Sequence, residues 1–148
     1  MMKYNIILSI GLLLILSSCG SKIDSAKESL EGTWQVKEIF KNYPSTGDFM
    51  EDKSGVGTFI FTSSQCDYNY TFDSVEEMNT FEYEFQITKE NSGFTRVDIF
   101  EILGEERYRI RFGDQTSDAH EEATEMSLER TVDNDSIAYD LLILLEKK

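Results

Sequence analysis

The stretch Phe81-Glu82-Tyr83-Glu84-Phe85-Gln86-Ile87 puts each ring or branched chain on an odd position and each carboxylate or amide on an even one. A period of two sends alternate side chains to opposite faces of a strand, so this segment has one buried face and one wet face, as in an antiparallel sheet. Tyr68, Tyr70 and Phe72 against Asp67, Asn69 and Thr71 repeat the pattern, and so do Tyr108, Ile110 and Phe112 against Arg107, Arg109 and Arg111. Working outward, eight such bursts fall at about 32–41, 56–63, 66–73, 81–89, 94–103, 106–113, 123–132 and 137–147. The links Asn91-Ser92-Gly93, Gly104-Glu105 and Asp133-Asn134-Asp135 are short enough for hairpins. The pattern predicts an all-β fold, an eight-stranded antiparallel up-and-down meander that closes into a barrel and so removes its edges. Ser74-Val75-Glu76-Glu77-Met78 reads as a short capping-box helical turn, and 42–55 as a long loop with Tyr43, Phe49 and Met50 as an apolar lid. Thr62-Ser63-Ser64-Gln65 has no glycine, which leaves one long bent strand open there, and the mixed phase of 94–103 predicts a bulge.

Upstream of the strands, Lys3 precedes the apolar run Ile6 to Ile15, and the run ends in Leu16-Ser17-Ser18-Cys19-Gly20. A basic flank, an apolar stretch too short to span a bilayer and small residues before a cleavage point make a secretory signal. Leu-Ser-Ser-Cys resembles the lipobox of bacterial lipoproteins. The resemblance implies a signal peptide over 1–18, cleavage before Cys19, and a Cys19 sulfur carrying palmitate-type acyl chains with the new amine acylated too. Two or three chains anchor stably where one does not. Residues 19–30 then form a tether, with a helical turn or two after Ser25, and 31–148 the barrel. The expected location is the bacterial cell envelope, lipid-anchored at the outer membrane, with the domain extracytoplasmic.

The chain carries 14 basic against 28 acidic residues, a net charge of −14. That charge repels nucleic acid and anionic head groups, so the membrane partner is reached through the anchor and nucleic acid is not a partner. With Cys19 lipidated, Cys66 is the only thiol left; no intrachain disulfide can form, and its register with Tyr68 and Tyr70 predicts a buried thiol. A monomer stabilised by apolar burial is expected. His120 is the single histidine, and Asp133-Asn134-Asp135 lacks the later glycine and glutamate of a calcium loop, so no metal and no cofactor are expected. Gly-x-Ser-x-Gly, His-Glu-x-x-His and phosphate-loop patterns are absent from the sequence, and the chain is read as a binding protein, not an enzyme.

Leu30-Glu31-Gly32-Thr33-Trp34 opens the first strand. A glycine two before a tryptophan at that place resembles the Gly-x-Trp signature of lipocalins, most closely the small lipocalin-like lipoproteins of Bacteroidota-type bacteria; fatty-acid-binding proteins and avidins open similarly. The resemblance implies that Trp34 plugs the closed end of the barrel, that Gly32 permits close backbone approach, and that a basic residue stacks on the ring. Strand direction delivers Lys147 there and sends Arg130 to the mouth.

By alternation Phe59, Phe61, Tyr70, Tyr83, Phe85, Tyr108, Tyr139 and Leu141 point into the barrel. They line a site for a small apolar or amphipathic ligand, or they fill the interior, which eight strands also allow; the chain would then be an interaction or structural lipoprotein acting through its loops on a protein partner. Glu38 shares the phase of Trp34, Val36 and Phe40, and Arg130 that of Met126 and Leu128. Either bulges turn the two outward, or both sit in the upper barrel as mutual partners or as the polar grip on a ligand. Arg107, Arg109 and Arg111 face Glu125 and Glu129 as an outer charge ladder. Asp48, Glu51, Asp52, Asp73, Glu76, Glu77, Glu105, Glu106, Asp133 and Asp135 gather at the mouth and are expected to repel a free fatty acid and attract a neutral or cationic amphiphile.

Overall fold

The computed structural model describes residues 26–89, 95–102, 107–112, 123–134 and 137–148. The leader, Cys19, His120 and the links at 91–93 and 104–105 lie outside the described residues. The strands are β1 (Gly32–Tyr43), β2 (Asp48–Asp52), β3 (Gly57–Phe61), β4 (Gln65–Phe72), β5 (Val75–Lys89), β6 (Thr95–Glu101), β7 (Arg107–Phe112), β8 (Glu125–Asn134) and β9 (Ile137–Lys147).

Every neighbouring pair is antiparallel, β3 to β9 follow chain order, and β1 pairs with β9 to close the sheet. β1 meets β9 along one edge; along the other its lower half, Gly32–Gln35, pairs with β3 and its upper half, Ile39–Tyr43, with β2. β2 and β3 are therefore two collinear pieces of one barrel position, and the barrel has the eight positions expected. The Gln35 side-chain amide donates to the carbonyls of Gly55 (3.0 Å) and Gly57 (2.7 Å) and ties down the break between them.

Three expectations change, and the alternative left open at 62–65 resolves to two strands. The 42–55 stretch is a turn followed by β2, whose Asp-Phe-Met-Glu-Asp sequence has little strand preference of its own and is ordered by the edge of β1. Residues 74–78 are not helical: Asp73 and Ser74 have φ of 50° and 66°, the two left-handed residues of a tight hairpin, so Phe72 pairs directly with Val75 and β5 starts at once. Residues 62–64 make a hairpin between β3 and β4, with the Thr62 amide on the Gln65 carbonyl at 2.9 Å, not a bend in one strand. The register of β6 on β5 is continuous from Thr95 to Glu101, and the bulge lies in β1, between Val36 and Glu38.

The floor of the barrel is built around Trp34, which is fully buried. A short helix, 26–30, closes it, with Ala26 and Leu30 also fully buried, so the last five residues of the stretch read as a tether pack on the barrel. The indole N–H donates to the Leu30 carbonyl at 2.7 Å, and Lys147 Nζ lies 5.3 Å from the ring centroid while donating to the Ser29 carbonyl at 2.9 Å. Gly32 has φ +123°, and a Cβ there would stand 3.2 Å from Lys147 Cε, so glycine leaves room for that lysine.

Candidate functional site

The inner face shows a gradient of burial. Near the floor Val36, Phe61, Cys66, Phe81, Ile110, Met126, Leu128, Ile143 and Leu145 are all buried. Toward the opposite end Tyr43, Arg130, Val132 and Tyr139 are only half-buried, and Asn79, which shares the inward phase of Phe81 and Tyr83, is exposed. Among the described residues, the inner face is fully covered at the floor and only partly covered toward the opposite end. Its lower part is packed with rings: Phe59 stacks on Tyr68 at 5.0 Å and on Tyr70 at 6.0 Å, and Phe81 stacks on Tyr108 at 5.0 Å. Cys66 lies among them, and burial pushes its thiol well above the ordinary range, so it is an inert core group.

At the boundary between the packed and open parts sits a polar layer. The β1 bulge reverses the phase of everything after Val36: Ile39 pairs with buried Ile143, Lys41 with buried Leu141, and both point inward. Glu38 pairs with Leu144 on the outer face, so the expectation that Glu38 lines the interior is corrected; the extra residue of the bulge moves it out and brings Lys41 in. Arg130 has no such bulge before it. It pairs with Leu141 from the other side, points inward, and donates to the Tyr108 hydroxyl at 3.0 Å with its guanidinium 5.5 Å from that ring's centroid.

Lys41 is 8% exposed, and its ammonium is 3.2 Å from Glu77 Oε1, 4.4 Å from the Phe72 ring centroid and 4.9 Å from that of Tyr139. Glu77 enters from β5, paired with Tyr70 of β4, and the Tyr70 hydroxyl donates to its other oxygen. Burial works against an ionised Glu77, yet the Tyr70 hydroxyl, Lys41 and Arg130 outweigh it and hold the carboxyl below its usual value. Burial, then the hydrogen bond to Glu77, pushes the Tyr70 phenol up, so it stays a donor.

The other interior positions fall where alternation put them. Phe59, Phe61, Tyr70, Tyr83, Tyr108 and Leu141 are buried, and Phe85 and Tyr139 pack half-buried against the core. Phe59, Phe61 and Tyr83 belong to the packed lower barrel; Tyr70, Tyr108, Tyr139, Leu141 and Arg130 border the polar layer. Lys41 and Glu77 are the residues sequence reading did not assign to the interior. The unequal spacing Trp34, Val36, Ile39 signals the first, and continuing the odd-numbered phase of Phe81 and Tyr83 back to Val75 signals the second.

On the outer face Arg109 and Arg111 both reach Glu129, at 3.7 and 3.3 Å, while Arg107 pairs with Asp98, which is fully buried. The arginines form a charge ladder, held by Glu129 and Asp98. Among the described residues no group of three or more His, Cys, Asp or Glu side chains is placed to hold a metal ion.

No family model matches the chain, and no curated protein matches it. Among solved structures it is similar to lobster apocrustacyanin A1, at 12% sequence identity and a TM-score of 0.34. The similarity covers 82% of this chain and 62% of that one, so the chain spans less than two thirds of its length. The fold assignment rests on the strand register: an up-and-down antiparallel barrel of eight positions with a tryptophan-plugged floor.

Proposed function

We propose that this chain is a lipid-anchored lipoprotein of the bacterial envelope whose barrel takes one small amphipathic ligand in its upper chamber. The observation that carries the reading is the burial gradient, from a floor of fully buried rings to half-buried inner-face residues around Lys41, Glu77 and Arg130. Concave sites of this composition bind apolar bodies and use a few placed polar groups for orientation. The aromatic stacks leave the lower barrel filled, so the ligand sits shallowly, its apolar part against Tyr70, Phe72, Tyr108 and Tyr139.

Lipidation of Cys19 would also orient the domain. Residues 20–25 separate Cys19 from the helix that closes the floor, a contour of about 20 Å even when fully extended. The closed end would therefore lie near the bilayer and the mouth would open away from it.

A second reading is favoured by the outer surface. Phe40, Phe49 and Leu142 line an open groove of about 1140 Å³ flanked by Arg107, Arg109 and Glu129, and a filled barrel would act through such a surface on a protein partner. Displacement of a neutral fluorescent probe from the full chain separates the two, since saturable binding supports the chamber and its complete absence supports the filled barrel. For the anchor, Cys19→Ala is expected to lose labelled palmitate and membrane recovery together; unchanged recovery in the variant, with no label in the wild type, rules it out.

A further inference from the structure

β2 is a strand with a neighbour on one side. Its five residues pair with residues 39–43 of β1, and among the described residues no strand pairs with its other edge. The tip of the β4–β5 hairpin reaches its lower end, where the Asp73 amide donates to Asp52 Oδ2 at 3.1 Å and the Ser54 amide to Asp52 Oδ1 at 2.8 Å. Above that point Asp48, Phe49, Met50 and Glu51 are all exposed, Phe49 to 61%. In an antiparallel pair alternate residues aim both backbone groups at the partner, and those between them aim both away. The free edge of β2 therefore presents backbone N–H and C=O groups to the outside, as a sheet edge does.

The side chains say what would pair there. Asp48-Phe49-Met50-Glu51 reads acid, apolar, apolar, acid from either end. Residues opposite each other across a strand pair share a face, so the complement is basic, apolar, apolar, basic whether the partner runs parallel or antiparallel. Phe49 lies on the outer face opposite Asn42, with its ring 5.8 Å from that of Phe40; Met50 lies opposite Lys41 and is 38% exposed. Asp73 and Glu76 of the neighbouring hairpin add carboxylates beside this edge. Lys53 stands 3.1 Å from Glu51 in an exposed pair, which an incoming guanidinium can replace. A second copy of the chain does not fit. Antiparallel pairing of β2 with itself would set Asp48 against Glu51, like charges directly opposite, between chains that each carry −14. Short charged edges guard sheets against association, and here the guard has a sign: it turns away acidic strands and admits basic ones.

We propose that the free edge of β2 is a strand-addition site for an extended basic segment of a partner protein. The partner's backbone bonds the edge that β1 leaves bare, its apolar pair lies against Phe49 and Met50, and its basic pair answers Asp48 and Glu51. It also completes a strand whose own residues have little preference for that conformation. The edge stands at the end of the barrel opposite Trp34, and a strand added there needs neither an empty chamber nor a filled one. Through Phe49 it adjoins the outer groove of Phe40 and Leu142, so a longer partner would continue onto that face.

The test is fluorescence anisotropy of the dye-labelled peptide Thr-Lys-Ile-Tyr-Arg-Thr with the full chain, held in nanodiscs of zwitterionic lipid, against empty nanodiscs. Saturable binding is expected, at least about tenfold tighter than that of Thr-Glu-Ile-Tyr-Glu-Thr, in which both charges are reversed. The double variant Asp48→Lys, Glu51→Lys is expected to invert that order, with a circular dichroism spectrum matching the wild type to report its fold. Successive amides of a strand point to opposite sides, so N-methylating the peptide's Lys and Tyr is not equivalent to N-methylating its Ile and Arg. One pair of methylations is expected to abolish binding and the other to leave it. An equal effect of the two would mean attraction by charge without strand addition and would overturn the proposal. Equal binding of the two peptides, or binding of neither, would overturn it as well.

Discussion

Replacing Trp34 with alanine tests the floor of the barrel. The side chain is fully buried, its ring faces Phe112 at a centroid distance of 6.5 Å, its N–H holds the Leu30 carbonyl, and Lys147 covers it. Truncating a buried Trp costs about 3–5 kcal/mol through lost transfer energy and the cavity left behind. The freed Leu30 carbonyl adds about 1 kcal/mol if water does not reach it, and the cation–π contact about another 0.5–1. The expected loss is about 4.5–7 kcal/mol, a large part of the ~5–15 kcal/mol typical of a domain. Because Trp34 is the chain's single tryptophan, urea unfolding of the variant has to be followed by far-ultraviolet circular dichroism, with the wild type followed both ways. In the folded wild type the emission should be blue-shifted and resistant to quencher. Trp34→Phe, which keeps the ring but not the N–H, should lose about 1–3 kcal/mol. A loss below about 1 kcal/mol in Trp34→Ala, or a red-shifted and freely quenched native tryptophan, would refute the closed floor.

Glu77→Gln should cost about 1–3 kcal/mol near neutral pH by leaving the Lys41 ammonium without its carboxylate. Because Glu77 is held below its ordinary 4.5, the wild type's advantage is fully present above that pH and is lost as pH falls through the lower folded-state value. Urea midpoints of the two proteins should therefore converge in acid, and a gap independent of pH would contradict the assignment. Gly57→Ala should destabilise by about 2–4 kcal/mol, since φ there is +142° and a Cβ would stand 2.5 Å from the Asn69 carbonyl oxygen and 2.6 Å from Tyr70 Cα; a wild-type unfolding midpoint would mean that β3 and β4 approach less closely.

The barrel was legible because β4, residues 81–87 of β5, and β7 alternate cleanly, and an alternation of period two names the buried face without knowledge of the partner strand. Trp34 was legible through the Gly-x-Trp resemblance, and strand direction then selected Lys147 as the basic residue beside it. What could not be read was anything that depends on register. Glu38 and Phe40 look inward when β1 is counted in twos from Trp34; a bulge was one of two open readings there, and the shifted pairing with β9 decides for it and gives Lys41 the inner place. Asp73-Ser74 contains no glycine, so its left-handed turn carried no local signal, and the Glu-rich start of β5 resembled a helix cap instead. Asp48–Asp52 became a strand through the edge it lies on, not through its own residues.

The pairing of β1 with β9 also sets when the molecule can fold. Trp34 meets Lys147, Thr33 accepts the amide of Lys148 at 3.0 Å, and the partners are joined by nearly the whole chain. Closing a loop of about 100 residues costs about 4 kcal/mol in chain entropy beyond the constant term, and all-β domains with such distant pairings fold in milliseconds to seconds. A chain emerging N-terminus first carries β1 with its β9 edge bare, and Trp34 without its lysine, until residues 137–147 arrive. Ring closure therefore waits for β9, the last of the barrel's strands in chain order. Until it docks, the sheet is open along the β1 edge, and β9 acts as the latch.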